Sequence, residues 1–207
     1  MELAEYAGTI VFAVSGVLAV ARGHLDWFGA IVVGIATALG GGTIRDLILG
    51  NTPVFWIGEL GFLAAATAGA AIAIPIAGSL AEGPAKRFDE TLQVADAAGL
   101  ALFSVVGASI ALDLGFDGGV AVAAGVITGA GGGVIRDLLA DRTPLILQGE
   151  IYATAALAGT AVFVALDELT GTPETIAAIA GGALVFGLRI AGIRRQWRLP
   201  AVGAPPG

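Results

Sequence analysis

Two octapeptides 91 positions apart carry most of the chemistry in this chain: Gly40-Gly41-Gly42-Thr43-Ile44-Arg45-Asp46-Leu47 and Gly131-Gly132-Gly133-Val134-Ile135-Arg136-Asp137-Leu138, which differ only at their fourth residue. An arginine and an aspartate one turn beyond three glycines, inside an apolar stretch, are groups for holding or steering charge. A guanidinium placed there faces a partner or water, or snorkels to the interface. Bond-making chemistry lacks its parts. Zero cysteines exclude thiolate nucleophiles, iron–sulfur clusters and thiolate zinc, and the single histidine, His24, leaves no paired imidazoles for a metal site or proton relay. Neither a G-x-G-x-x-G pattern nor a Walker lysine accompanies the glycines. The chain is therefore expected to bind no metal or cofactor and to be no enzyme.

Three consecutive glycines cost a helix roughly 1 kcal/mol each relative to alanine. Gly40 to Gly42 and Gly131 to Gly133 are expected to kink or locally unwind their helices beside a polar cavity, the alternative being close helix packing. Asp46 and Asp137 follow their arginines about 100° round the helix, so neither Arg–Asp pair is expected to satisfy itself on one face. Each arginine then needs a partner from another helix or a hydrated path.

The elements that hold these groups are membrane spans. Of 207 residues, 57% are hydrophobic and 13% charged, and the mean hydropathy is +0.90, so polar side chains are too few to clothe a globule in water. Apolar runs long enough to cross a hydrocarbon core of roughly 30 Å fall near 4–21, 28–48, 57–77, 92–112, 118–139, 149–167 and 174–193. Turn chemistry separates them, as at Gly50-Asn51-Thr52-Pro53 and Gly171-Thr172-Pro173. Ala19-Val20-Ala21 mimics a signal cleavage site, but Glu2 and Glu5 stand where a signal carries basic residues. The first span is read as mature structure.

Arg22, Lys86, Arg87, Arg142, Arg189, Arg194, Arg195 and Arg198 all fall on the face of the odd-to-even connections and the C-terminus. That face is expected to be cytoplasmic, with the N-terminus outside a prokaryotic plasma membrane. The net charge of −7, with Lys86 the only lysine, leaves no basic footprint for nucleic acid.

Shifting the chain by 91 positions matches 11 of the 20 residues from Gly40 to Glu59, and also Phe12 with Phe103, Gly16 with Gly107 and Gly34 with Gly125. Three spans separate the copies, so the second enters the membrane from the opposite face. The fold class is an all-α integral membrane protein: one membrane domain of two inverted three-helix repeats (1–82 and 91–168), a seventh helix (174–194) and a cytoplasmic tail (195–207). Inverted repeats with interrupted helices are a mark of proteins that move solutes.

By the repeat, Glu5 aligns with Asp96 and Glu59 with Glu150. The topology puts Glu5, Arg45, Asp46 and Glu59 towards the outer side, and Asp96, Arg136, Asp137 and Glu150 towards the inner side. If the surplus negative charge faces water, both vestibules concentrate cations; the competing reading is an ion-pair staple that fixes helix packing. Ser15, Thr37, Thr43, Ser104 and Thr128 either line the path or bond the preceding helical turn.

The doubled GGGxIRDL, the TPxxxxxGE after each copy and the three-plus-three-plus-one layout resemble the prokaryotic branch of the trimeric intracellular cation (TRIC) channels over nearly the whole chain. The resemblance implies a homotrimer in membrane lipid. Each subunit would then hold its own pore for K+ and Na+, bordered by the first, second, fourth and fifth spans and kinked at the glycine triplets, with the other three spans peripheral. Gly40 to Gly42, Arg45, Asp46, Gly131 to Gly133, Arg136 and Asp137 are its implied pore-region residues. Animal members carry a lysine-containing motif in the second span, where this chain has Arg45, so their lipid and calcium regulation and organellar location do not transfer. The rival function is a secondary transporter of a small zwitterion such as glycine.

Overall fold

Inside hydrocarbon every backbone N–H and C=O must be satisfied by the chain itself, and a helix does this within each segment. The structure, a computed structural model, describes residues 1–23 and 25–200. His24 and the tail residues 201–207 lie outside the described residues. Among the described residues, seven helices are long and apolar enough to cross a membrane: α1 (Glu2–Val20), α2 (Trp27–Leu49), α4 (Leu60–Ala81), α5 (Ala85–Asp113), α6 (Gly118–Leu139), α7 (Ala153–Thr170) and α8 (Glu174–Arg195). A short helix, α3 (Phe55–Gly58), comes after α2, and a 3-10 turn at Leu145–Leu147 comes after α6 at the equivalent place.

Local chemistry sets the ends. Asp26 caps α2 by accepting from the Gly29 N–H at 2.7 Å, and Gly50, at φ 70°, ends it in the left-handed conformation that lacks a steric penalty only for glycine. The fourth span begins earlier than its hydropathy indicates. Over its 29 residues α5 is about 43 Å long at 1.5 Å per residue, so its charged first turns, from Lys86 to Glu90, have room to leave the hydrocarbon.

Side-chain contacts show which connections share an end of the bundle. Arg22, after α1, donates from Nη2 to the carbonyls of Ala81, the last residue of α4, and Gly83, just beyond it, at 3.3 and 2.9 Å, and lies over the Phe88 ring. At the other end, Tyr6 bonds Glu59, and Ser109 bonds Glu174. The helices therefore alternate in direction.

The two halves meet through reciprocal contacts. Gly99 lies under the Phe12 ring and Gly8 under Phe103, and the two rings stand 5.3 Å apart. A Cβ on Gly41 would lie closer than 3.0 Å to the Thr128 carbonyl, and one on Gly132 equally close to the carbonyl of Thr37, its repeat equivalent. Within each half, Gly16 abuts the Thr37 side chain and Gly107 likewise that of Thr128. When residue i of one half meets j of the other and the equivalents meet in return, a two-fold axis relates them. It relates α1, α2 and α4 to α5, α6 and α7, and leaves α8 outside, packed on α7 and α5.

The triplets do not unwind. Helical hydrogen bonding runs unbroken through Gly40 to Gly42 in α2 and Gly131 to Gly133 in α6. Their missing side chains are used between helices instead. Gly41 and Gly132 let the α2 and α6 backbones touch, while Gly42 accepts the edge of Phe55 and Gly133 the hydroxyl end of Tyr152. This contact offsets the intrinsic helix penalty of glycine, so the close-packing alternative describes the static fold.

Candidate functional site

The two octapeptides build two unequal centres. Arg136 projects from α6 and is 1% exposed. Its Nε donates to Asp137 Oδ1 at 2.9 Å, and Nη2 lies 2.8 Å from the same oxygen. Nη1 reaches two other helices, donating to Asp96 Oδ1 on α5 at 2.6 Å and to the Ser15 hydroxyl on α1 at 2.8 Å. The other oxygen of Asp137 accepts the Leu145 N–H at 3.0 Å, beyond the end of α6. One guanidinium thus ties α1, α5 and α6 together across the seam between the repeats.

Arg45, on α2, is 2% exposed and has a smaller set of partners. Its Nε donates to Asp46 Oδ1 at 2.9 Å. Nη2 sits 2.7 Å from that oxygen without hydrogen-bond geometry and has no other acceptor among the described residues. Asp46 in turn accepts from the Phe55 N–H at 2.8 Å and from the Asn51 amide at 3.2 Å, and the guanidinium lies over the Phe55 ring.

Adjacent arginine and aspartate do pair at both centres, against expectation, yet neither pair satisfies its guanidinium alone: Arg136 takes partners from α1 and α5, and Arg45 Nη2 has no hydrogen-bond acceptor among the described residues. The long arginine arm folds back far enough for Nε and Nη2 to reach the next residue. The turn after each helix holds that carboxylate still by donating a main-chain N–H to its second oxygen. Helix-surface angles describe Cβ directions, not where a flexible guanidinium ends.

The remaining carboxylates divide differently from their repeat positions. Asp96 joins the Arg136 centre, whereas its equivalent, Glu5, forms no ion pair within 4.0 Å of Arg45. Glu59 is exposed and accepts from the Tyr6 hydroxyl at 2.5 Å. Glu150 bonds Arg189 Nη1 at 2.7 Å.

Arg189 adds a contact to the charged centre that its count as a basic residue did not show. Counted among the basic residues only for the side of the membrane it falls on, it is 1% exposed on α8, with its guanidinium over the Tyr152 ring. Tyr152 itself, 1% exposed, donates to Asp96 Oδ1 at 3.2 Å. Sequence reasoning placed neither residue at a charged centre. The available signal was that Arg189 stands more than one turn before Arg194, still inside an apolar run.

The hydroxyls also separate. Ser15 serves Arg136, whereas Thr37, Thr43 and Thr128 donate to the carbonyls four residues back, at 2.7, 2.7 and 2.6 Å. Thr43 additionally accepts from the Trp56 indole N–H at 3.0 Å. The hydroxyl of Ser104 is buried without a partner among the described residues, as are Asp96 Oδ2 and the Nε and Nη2 of Arg189. Each such group carries a penalty of about 1–3 kcal/mol unless hydrated. Among the described residues, no group of three or more His, Asp or Glu side chains is arranged for a metal ion.

Known proteins match the chain over both halves. A family model described as "Glycine transporter" matches residues 2–77 and again 93–168, repeating the offset of 91. The UPF0126 inner membrane protein YadS of Escherichia coli K12 is 40% identical over 95% of this chain and 93% of its own. A UPF0126 membrane protein of Deinococcus radiodurans is 42% identical, over 97% of this chain and 91% of its own. Among solved structures, the TRIC trimeric intracellular cation channel orthologue from Rhodobacter sphaeroides superposes with a TM-score of 0.86 at 42% identity, covering 94% of this chain and 97% of that one. A prokaryotic TRIC channel solved in 0.5 M KCl gives 0.82 at 31% identity, covering 96% and 98%. Similarity of this extent, spread over both repeats and the seventh spanning helix, makes the chain a member of the prokaryotic branch of the TRIC channel family.

Proposed function

We propose that this protein is a channel for monovalent cations, K+ and Na+, in a prokaryotic plasma membrane, working as a homotrimer with one path per subunit bordered by α1, α2, α5 and α6. The observation that carries this reading is the Arg136 centre. A buried guanidinium on α6 holds Asp96 on α5 and reaches Ser15 on α1 across the two-fold seam, so a charged group sits where the two repeats meet. The Rhodobacter sphaeroides relative is described as a trimeric intracellular cation channel, which supports both the ion and the assembly.

In this reading the N-terminus is outside, the C-terminus is cytoplasmic, Arg45 stands at the outer mouth and Arg136 at the inner mouth. Glu5, Asp46 and Glu59 outnumber Arg45, and Asp96, Asp137 and Glu150 outnumber Arg136 and Arg189, so both mouths favour cations over anions. The arginines keep neighbouring carboxylates from holding a passing ion too tightly. The glycine contacts at Gly41 and Gly132 act as the sliding surface between α2 and α6.

The matching family model is described as a glycine transporter, which favours a second reading: alternating access for a small zwitterion through the same inverted repeats. Planar-bilayer recording of the purified protein, with native mass spectrometry on the same preparation, tests the proposal. Unitary cation current steps larger than carrier turnover, from a trimer, are the expected result. Saturable glycine uptake into liposomes without unitary steps would establish the carrier instead.

A further inference from the structure

The chain beyond α8 does more than leave the membrane. At its end α8 closes in a Schellman-type cap, with the Trp197 N–H donating to the Gly192 carbonyl at 3.0 Å and the Gln196 N–H to that of Ile193 at 3.4 Å. The residue at the left-handed position is Gln196, at φ 54°, where glycine is the residue without a steric penalty. A side-chain-bearing residue keeps that conformation only where its surroundings hold it.

Residues 197–199 do the holding, as a clasp. Arg198 forms an antiparallel bridge with Glu150, and the Leu199 N–H donates to the Gly149 carbonyl at 2.6 Å. The Arg195 guanidinium covers the Trp197 ring and helps fix the turn. Beneath it lies a polar cavity of about 190 Å³ whose lining includes Gln93, Glu150, Gln196 and Arg198.

The clasped segment is the one that supplies the Arg136 centre with its outer supports. Glu150 takes the charge of Arg189. Tyr152, two residues on, lies under that guanidinium and bonds Asp96, which holds Arg136. Segment 149–152 is therefore gripped from two sides by α8, through Arg189 and through the strap beyond Gln196. Only one half of the molecule has this arrangement, because α8 has no repeat counterpart. The equivalent Glu59 is exposed and bonded to Tyr6 on α1.

We propose that Gln196–Leu199 is an autoinhibitory strap: docked on Gly149 and Glu150 it holds the Arg136 centre shut, and its release lets Glu150 and Tyr152 withdraw and the inner mouth open. The proposal rests on the channel reading for its functional readout. The strap touches the support of the path and not the path itself, so it sets how often the channel opens and leaves the size of each opening unchanged.

Two substitutions in the full chain push the strap in opposite directions. Leu199→Pro removes the N–H that Gly149 accepts while keeping the tail, and proline there suits Arg198, whose bridged backbone is already extended. Gln196→Gly relaxes the left-handed turn and favours docking. In bilayer recordings Leu199→Pro is expected to raise open probability by about fivefold, the weight of one backbone hydrogen bond. Gln196→Gly is expected to lower it, with unitary conductance the same in both. Unchanged or reduced opening in Leu199→Pro, from a trimer as intact as the wild type, overturns the strap. If the wild type itself passes no unitary current, the channel reading has failed, and hydrogen exchange decides the strap separately. Faster exchange across residues 149–156 in Leu199→Pro keeps the clasp, and unchanged exchange removes it.

Discussion

Tyr152 and Arg136 share one oxygen: the tyrosine hydroxyl donates to Asp96 Oδ1 at 3.2 Å while the Arg136 guanidinium holds the same atom at 2.6 Å. Asp96 Oδ2 is left without a partner among the described residues, so the centre is polarised towards a single atom. Removing the tyrosine hydroxyl weakens the orientation of Asp96 but leaves the ion pair. Tyr152→Phe keeps the ring under Arg189 and should cost about 1 kcal/mol. Thermal unfolding in detergent measures the loss, and bilayer recording should show more frequent opening.

Asp96→Asn is a harsher change, because it leaves Arg136 with Asp137 and Ser15 but without its shortest ionic partner. Breaking a buried pair in this way should cost about 3 kcal/mol. Glu5→Gln, at the repeat-equivalent position, should cost much less, since Glu5 forms no ion pair with Arg45 within 4.0 Å. Comparable losses in parallel unfolding curves would show that the repeat, and not the observed asymmetry, governs the two centres.

At the α2–α6 contact, Gly41→Ala and Gly132→Ala each put a methyl group against a carbonyl on the facing helix. Overpacking of this kind typically costs about 1–3 kcal/mol, and the separated helices should alter conductance. Gly78→Ala provides the comparison, because nothing lies within 4 Å of its added carbon; there the gain in helix propensity should leave stability equal or slightly higher. Stability and current in the triplet variants matching those of Gly78→Ala would refute the contact argument.

Arg45→Ala and Arg136→Ala should shift rectification in opposite directions in oriented bilayers, because each removes charge at one mouth. Raising the salt should shrink both shifts by screening. Arg136→Ala should also lower the unfolding temperature more, since it loses bonds to three helices and Arg45 loses only those to Asp46. Shifts of the same sign from intact trimers would overturn the inverted placement of the arginines.

The spans and the repeat were legible in the chain because they rest on local or additive quantities. Hydropathy sums over a window, and an offset that reproduces Arg, Asp, Pro and Glu in register cannot come from a surplus of glycine and alanine. The membership of each charged centre was not legible. Arg189 reads as one more basic residue near the C-terminal end until α8 is laid on α7 and α5, where it meets Tyr152 and Glu150. The triplets read as breaks until the facing carbonyls of Thr37 and Thr128 occupy the space their side chains would need. A glycine's effect changes sign with what stands opposite, and a long guanidinium selects its partner by distance in space. Both are properties of packed helices, so tertiary structure alone decided that Arg136 would bind three helices and Arg45 only its neighbour.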